Sequence, residues 1–174
     1  LYGLALAHKK NNNFNEGLAS LDKLLEKYPK NLVLNTTKVE FLSYFNKFND
    51  ALDLANKFLE ISPKNYPLSI SKSQILLNMG QYFESEEIIR DQLLRKNDSP
   101  ELWFMLSETQ KTSQNIVGYH QSRAEYFLLL GQDEKALNQL EFALQLTQNN
   151  FQVSDRIMTK IIEIKKSLQN SRGL

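Results

Sequence analysis

A pattern returns along this chain every 34 residues. Phe14, Phe48 and Tyr82 fill one slot, Gly17, Ala51 and Ser85 a second, and Leu25, Leu59 and Leu93 a third. Pro29 and Pro63 close the first two units. An aromatic, a small residue, a leucine and a helix-stopping proline at fixed spacing describe one supersecondary unit used repeatedly. A unit of that size cannot bury its apolar face alone, so neighbouring copies must stack.

Inside each unit the apolar residues have helical spacing. Phe14, Leu18, Leu21, Leu25 and Tyr28 form one stripe, which predicts a helix from Phe14 to Tyr28. Asn13 stands at its N-cap, with Glu16 placed to complete a capping box. Pro29 ends the helix and restricts the residue before it. Gly17 leaves room for a neighbouring helix to approach closely. The second unit predicts helices over Leu32–Phe45 and Phe48–Ile61, stopped by Pro63, and the third over Tyr66–Met79 and Tyr82–Arg95 around Gly80-Gln81. A period of 34 with these slots is the signature of tetratricopeptide repeats, antiparallel helix pairs stacked into a right-handed solenoid.

A fresh start follows at Ser99-Pro100-Glu101, with Ser99 as cap and Pro100 at the first helical position. Here the period slips. Adding 34 to Ser85 reaches Tyr119, too large for the small slot, whereas adding 51 carries Gly80-Gln81 to Gly131-Gln132, Ser85 to Ala136 and Leu93 to Leu144. That is one and a half repeats, so one extra helix is expected, assigned to Pro100–Ser113. A pair over Val117–Leu130 and Asp133–Thr147 follows. Ile157, Ile161, Ile164 and Leu168 then share one face of a capping helix, while Arg156, Lys160, Glu163, Lys165 and Lys166 lie elsewhere on it. Ser171–Leu174 are expected to fray. The expected fold is all-α, about ten helices with no strand. It forms a single domain over 1–174, with units at 1–30, 31–64, 65–98 and 117–148, the extra helix at 100–113 and the cap at 151–170. The opening Leu1-Tyr2-Gly3, helical in pattern and without an initiator Met, reads as the interior of a longer protein.

Charge and composition narrow the function. With 21 Lys+Arg against 20 Asp+Glu the formal charge is +1, which argues against an electrostatically driven nucleic-acid binder. Zero cysteines exclude disulfides and thiolate zinc sites. No apolar run reaches the ~18 to 20 residues of a membrane span. The two histidines, His8 and His120, fall in different units, and no H-E-x-x-H pair, P-loop or glycine-rich dinucleotide turn is present. No nucleophile–base–orienter set is recognisable. The expectation is a non-catalytic segment without metal or cofactor of its own, and a protein or peptide as partner.

In tetratricopeptide solenoids the first helix of each pair lines the concave face. That phase places Tyr2, Leu6 and Lys9 there from the first unit, and Thr36, Glu40, Ser43 and Tyr44 from the second. Ile70, Gln74, Leu77 and Asn78 come from the third, and Phe104, Glu108 and Lys111 from the extra helix. Aromatic anchors among single charges suit a protein surface, although Leu6 and Leu77 equally suit packing on neighbouring helices and Tyr44 suits packing better. Chaperone-docking repeats hold a peptide carboxylate with Lys, Asn and Arg. Tyr2, Leu6, Thr36 and Glu40 stand at the corresponding places and supply no such cationic set. Trp103 is assigned to the core, His120 and Arg123 to a polar contact, and Glu125 to a pairing with Arg123 or Arg156 that fixes helix registry.

The C-terminal half resembles a narrower family. The stretch 101–108, Glu-Leu-Trp-Phe-Met-Leu-Ser-Glu, carries the likeness, together with 120–127, His-Gln-Ser-Arg-Ala-Glu-Tyr-Phe, and Leu130-Gly131-Gln132. So do Ala136-Leu137, Leu140, Ala143-Leu144 and Arg156 with its isoleucine-rich helix. These are similar to the repeat domain of periplasmic β-barrel assembly-enhancing zinc metalloproteases, and Tyr2–Ala7 resembles the helix that opens that domain. The resemblance implies a periplasmic location and a chaperone-like part in outer-membrane protein quality control. It also implies docking of clients or of the outer-membrane assembly machinery, with the repeats partly embracing the family's own protease domain. The zinc and its ligands would lie in that N-terminal domain and map to no residue here. The alternative is a stand-alone scaffold, either an outer-membrane assembly lipoprotein or a cytoplasmic adaptor. A regulatory domain of a nucleic-acid-binding protein is a third reading.

Overall fold

The computed structural model describes residues 1–147 and 149–172, without the side chains of 171 and 172. It contains ten α-helices and, among the described residues, no strand. They are α1 (Tyr2–Lys10), α2 (Phe14–Lys27), α3 (Leu32–Tyr44), α4 (Phe48–Ile61), α5 (Tyr66–Asn78), α6 (Tyr82–Arg95), α7 (Pro100–Thr112), α8 (Ile116–Leu129), α9 (Asp133–Leu146) and α10 (Phe151–Arg172). Of the four residues expected to fray, 171 and 172 continue the α10 backbone, while 173 and 174 lie outside the described residues, as does 148. Two compact units divide the chain, Leu1–Ile88 and Ile89–Leu174, and the boundary falls within α6.

Two kinds of turn organise the helices. Between α2 and α3 and between α4 and α5, a proline follows the C-cap and an asparagine opens the next helix. Asn31 Oδ1 accepts from the Leu34 N–H at 3.0 Å, and Asn65 Oδ1 from the Leu68 N–H at 3.0 Å. Ser99 caps α7 in the same way, its hydroxyl accepting from the Leu102 N–H at 3.4 Å. The other kind has one residue in the left-handed region: Asn12 (φ 60°), Asn46 (58°), Gly80 (79°), Gln114 (63°) and Gly131 (67°). The next residue's N–H then reaches back into the preceding helix. Asn13, Lys47, Gln81, Asn115 and Gln132 donate to the carbonyls of His8, Leu42, Leu76, Gln110 and Phe127 at 2.8–2.9 Å. This is the Schellman arrangement, which satisfies carbonyls that a helix end would otherwise leave unpaired. At α2 the backbone does this work alone. Asn13 makes no side-chain cap bond, so the expected capping box with Glu16 is not formed.

These turns locate the extra helix. Asn12, Asn46, Gly80 and Gln114 keep the 34-residue spacing, and Gly131 follows only 17 residues later. The α7–α8 turn is therefore in register, and α8 has a left-handed turn at both ends. The phase changes at α8, one helix after the Pro100–Ser113 segment that the side-chain slots indicate. The slots mislead because α8 supplies its small residue at Gly118, one position before Tyr119. A Cβ on Gly118 would lie 2.5 Å from Asn115 Nδ2 and 2.8 Å from Gln110 Nε2. Accordingly, α8 packs on both α7 and α9.

In the first unit, Val39, Leu42, Ala51, Ala55, Phe58, Leu68 and Ile75 form one buried cluster, and Ala5, Leu21 and Phe41 another. Gly17 does what its size predicts: an added Cβ would stand 2.5 Å from Phe41 Cζ and 3.2 Å from His8 Cβ. Across α5 and α6 the small slot is polar, with Ser73 and Ser85 hydroxyls 2.9 Å apart and Ser85 also donating to the Ser73 carbonyl at 2.9 Å. In the second unit, Ala124, Ala136, Leu140, Ala143, Ile157, Ile161 and Ile164 form the core. The apolar face of α10 thus turns inward, and Arg156, Glu163, Lys165 and Lys166 stay exposed.

Candidate functional site

The Asn caps and left-handed turns of the first unit set three first helices, α1, α3 and α5, along one open cavity of about 500 Å³. Its lining includes Lys9, Glu40, Ser43, Tyr44, Ile70, Gln74 and Asn78, all expected on the concave face, together with Asn46 and Ser71. Asn46 is the left-handed turn residue, and Ser71 donates to Glu40 Oε1 at 3.5 Å. Neither carries a helix-face signal strong enough to select it from sequence. Tyr44 is 54% exposed, its ring against Phe45 at 5.1 Å and under the Lys9 ammonium at 5.0 Å. Gln74 Nε2 donates to Asn78 Oδ1 at 3.3 Å. The cavity wall thus presents one cation, one carboxylate and an aromatic face among amides and hydroxyls. Such a wall suits hydrogen bonding to a peptide backbone and offers no activated nucleophile.

Four predicted residues of this unit lie apart from that lining. Tyr2 and Leu6 are exposed, and the Tyr2 hydroxyl is 3.4 Å from Thr37 Oγ1. Thr36 is buried and donates to the Leu32 carbonyl at 2.8 Å, which occupies its hydroxyl proton. It belongs to the wall of a smaller cavity of about 220 Å³ shared with Thr37, Glu40 and Pro67. Leu77 is half-buried.

In the second unit, Phe104, Glu108 and Lys111 follow one another along α7 beside α8. Phe104 is 41% exposed, its ring 5.5 Å from Tyr126. The Lys111 ammonium lies 5.9 Å from the Tyr119 ring. Arg123, which the sequence suggests makes a polar contact, instead lies over aromatic rings. Its guanidinium carbon is 5.2 Å from Phe104, 5.1 Å from Tyr126 and 5.0 Å from Phe127. The sequence does carry a signal for this: Arg123 with aromatics three and four positions on shares one helix face with them.

Other expectations for this unit need correction. Trp103 is not a core residue. It is half-buried, and its indole N–H donates to the Asn97 carbonyl at 2.8 Å, fastening the turn before α7. An indole N–H requires an acceptor, which the loop backbone offers and an apolar core does not. Glu125 pairs with neither Arg123 nor Arg156 but with Lys160 at 3.0 Å, because Arg123, two positions away on the helix, faces the rings. His120 does make the polar contact expected of it, with Nδ1 2.8 Å from Gln139 Oε1. Among the described residues no group of three or more His, Asp or Glu side chains could hold a metal ion, and no helix is long and apolar enough to cross a membrane.

No protein-family model matches the sequence, and no curated protein matches it. Solved structures do. A MamA double mutant of RS-1 superposes with a TM-score of 0.65 at 12% identity, over 97% of this chain and 94% of that one. A tetratricopeptide repeat protein from Parabacteroides merdae gives 0.58 at 12% identity, over 95% and 75%. Naa15/Naa10 bound to HypK-THB gives 0.57 at 18%, over 99% of this chain and 34% of that one. At these identities the likeness is one of fold. Helix pairs, turn register and solved neighbours agree that this is an all-α chain of tetratricopeptide-repeat fold.

Proposed function

We propose that the chain is a protein-interaction scaffold whose first unit captures a peptide segment along α1, α3 and α5. One observation carries the reading: a solvent-open cavity of about 500 Å³ lined from three successive first helices, with Tyr44 half-exposed at its wall. A Naa15/Naa10 structure bound to HypK-THB, itself a protein assembly, supports this use of the fold. Photo-crosslinkers at Gln74 should trap a discrete partner that the same group at Ile61, exposed on α4, does not. Tyr44→Ala should weaken that capture and leave helical content and melting nearly unchanged. If Tyr44→Ala unfolds the unit, the side chain is structural and the groove assignment fails.

Within this reading, we propose that the partners are clients or assembly machinery of the outer membrane. The chain would then serve in the periplasm beside an N-terminal zinc metalloprotease domain. The C-terminal resemblance supports this, above all Glu101–Glu108 and His120–Phe127. Reading the gene upstream of Leu1 tests it: a signal peptide followed by H-E-x-x-H upholds the proposal, and any other domain there defeats it. A lipoprotein signal directly before Leu1 would favour the stand-alone scaffold instead.

A further inference from the structure

The second unit contains a cation without a counter-charge. Arg123 is half-buried on α8, and its guanidinium carbon lies 5.0–5.2 Å from the centroids of three aromatic rings. No hydrogen bond or ion pair to it is formed among the described residues. Ring faces attract the charge but supply no oxygen or nitrogen acceptor, so the five N–H donors of the group have no protein acceptor among the described residues. The nearest carboxylate in sequence, Glu125, is held by Lys160 at 3.0 Å. Phe127 packs against the apolar core of this unit, which fixes one ring of the cradle, whereas Phe104 is 41% exposed at its mouth. Lys111, also without a carboxylate partner, lies over Tyr119 along the same α7–α8 seam.

We infer that this cradle is a second binding site, separate from the first-unit groove, which takes an acidic side chain of a protein partner flanked by an apolar one. The chemistry is specific. A carboxylate accepts two parallel N–H bonds from a guanidinium edge, and rings that hold the guanidinium in place reduce the ordering needed on binding. Arg with aromatic neighbours is also the composition that dominates binding energy at protein interfaces. The exposed Phe104 face receives the apolar neighbour, and the Lys111 charge adds attraction over a longer range.

The test uses two capped, fluorescently labelled pentapeptides, Leu-Glu-Phe-Asp-Leu and its amide counterpart Leu-Gln-Phe-Asn-Leu, titrated with the whole chain. The acidic peptide should bind at least about tenfold more tightly and lose affinity as salt rises. Arg123→Gln should remove the difference between the two peptides. Arg123→Lys should restore only part of it, because a point charge replaces a fork. Phe104→Ala, at the exposed rim, should weaken acidic-peptide binding while the melting curve stays in place, and Tyr44→Ala should leave it untouched. The inference is overturned if the acidic peptide fails to saturate at about millimolar concentration. Equal binding of the amide peptide, unchanged affinity in Arg123→Gln, or a site that takes inorganic phosphate but not the peptide would also overturn it.

Discussion

Two helix contacts in this molecule use glycine for the same purpose and fill the space differently. In the first unit, Gly17 on α2 lets the Phe41 ring approach, and Phe14, Phe41 and Phe45 pack with centroids 4.9–5.8 Å apart. In the second, Gly118 on α8 is met by the amides of Asn115 and Gln110, and Gln110 Oε1 accepts from the Ser122 hydroxyl at 2.7 Å. Phe41 and Gln110 are both about 1% exposed. A close approach therefore does not dictate what lies opposite; an aromatic ring or a satisfied amide completes it. What differs is how each contact fails. A ring contact is lost in proportion to volume, whereas an amide contact is lost when one partner is left unmatched.

Substitutions can separate these failure modes. Phe41→Ala should lower stability by about 3–5 kcal/mol in denaturant unfolding. Adding Gly17→Ala to it should then cost little more, since the ring that the new methyl would meet is gone. In the second unit, Gln110→Leu should cost about 1–3 kcal/mol by leaving the buried Ser122 hydroxyl without its acceptor. Combining it with Ser122→Ala should recover the part of that loss due to the Ser122 bond, and failure to recover any would show that the amide acts through its other contacts. Gln114→Gly should raise stability by about 1 kcal/mol by relieving a left-handed side chain, with smaller gains for Asn12→Gly and Asn46→Gly, which tolerate that region better. The smallest effect belongs to Lys160→Met, under about 1 kcal/mol, because the Glu125 pair is partly solvated.

Most of the helical frame was readable from the sequence because it rests on local rules. Apolar stripes of three and four, prolines after Tyr28 and Ser62, and Asn or Ser caps act within a few residues of themselves. The position of the phase change was not readable in the same way. It depends on Gln114 taking a left-handed conformation that its side chain does not favour, and on Gly118 standing one place off the slot. Hydrophobicity alone places Trp103 in the core, and its N–H, bonded to the Asn97 carbonyl, decides otherwise. For the groove, helix phase singled out Lys9, Glu40, Ser43, Tyr44, Ile70, Gln74 and Asn78, whose side chains the fold brings to one cavity. Phase could not place Asn46, which reaches the cavity from a turn, or show that Thr36 is buried. The Arg123 cradle needed a ring from another helix, Phe104, and pairings of that kind leave no mark in a single sequence.

The left-handed turns also bear on how the chain finds its fold. Each closes with a backbone bond spanning only a few residues, as between the Gln81 N–H and the Leu76 carbonyl at 2.9 Å. Little loop entropy is surrendered before two helices can meet, so folding should start from local hairpins and proceed rapidly. Gly80 and Gly131 enter that conformation without the strain carried by Gln114. The α5–α6 and α8–α9 hairpins should accordingly assemble ahead of α7–α8, and α8 would join its later partner before its earlier one.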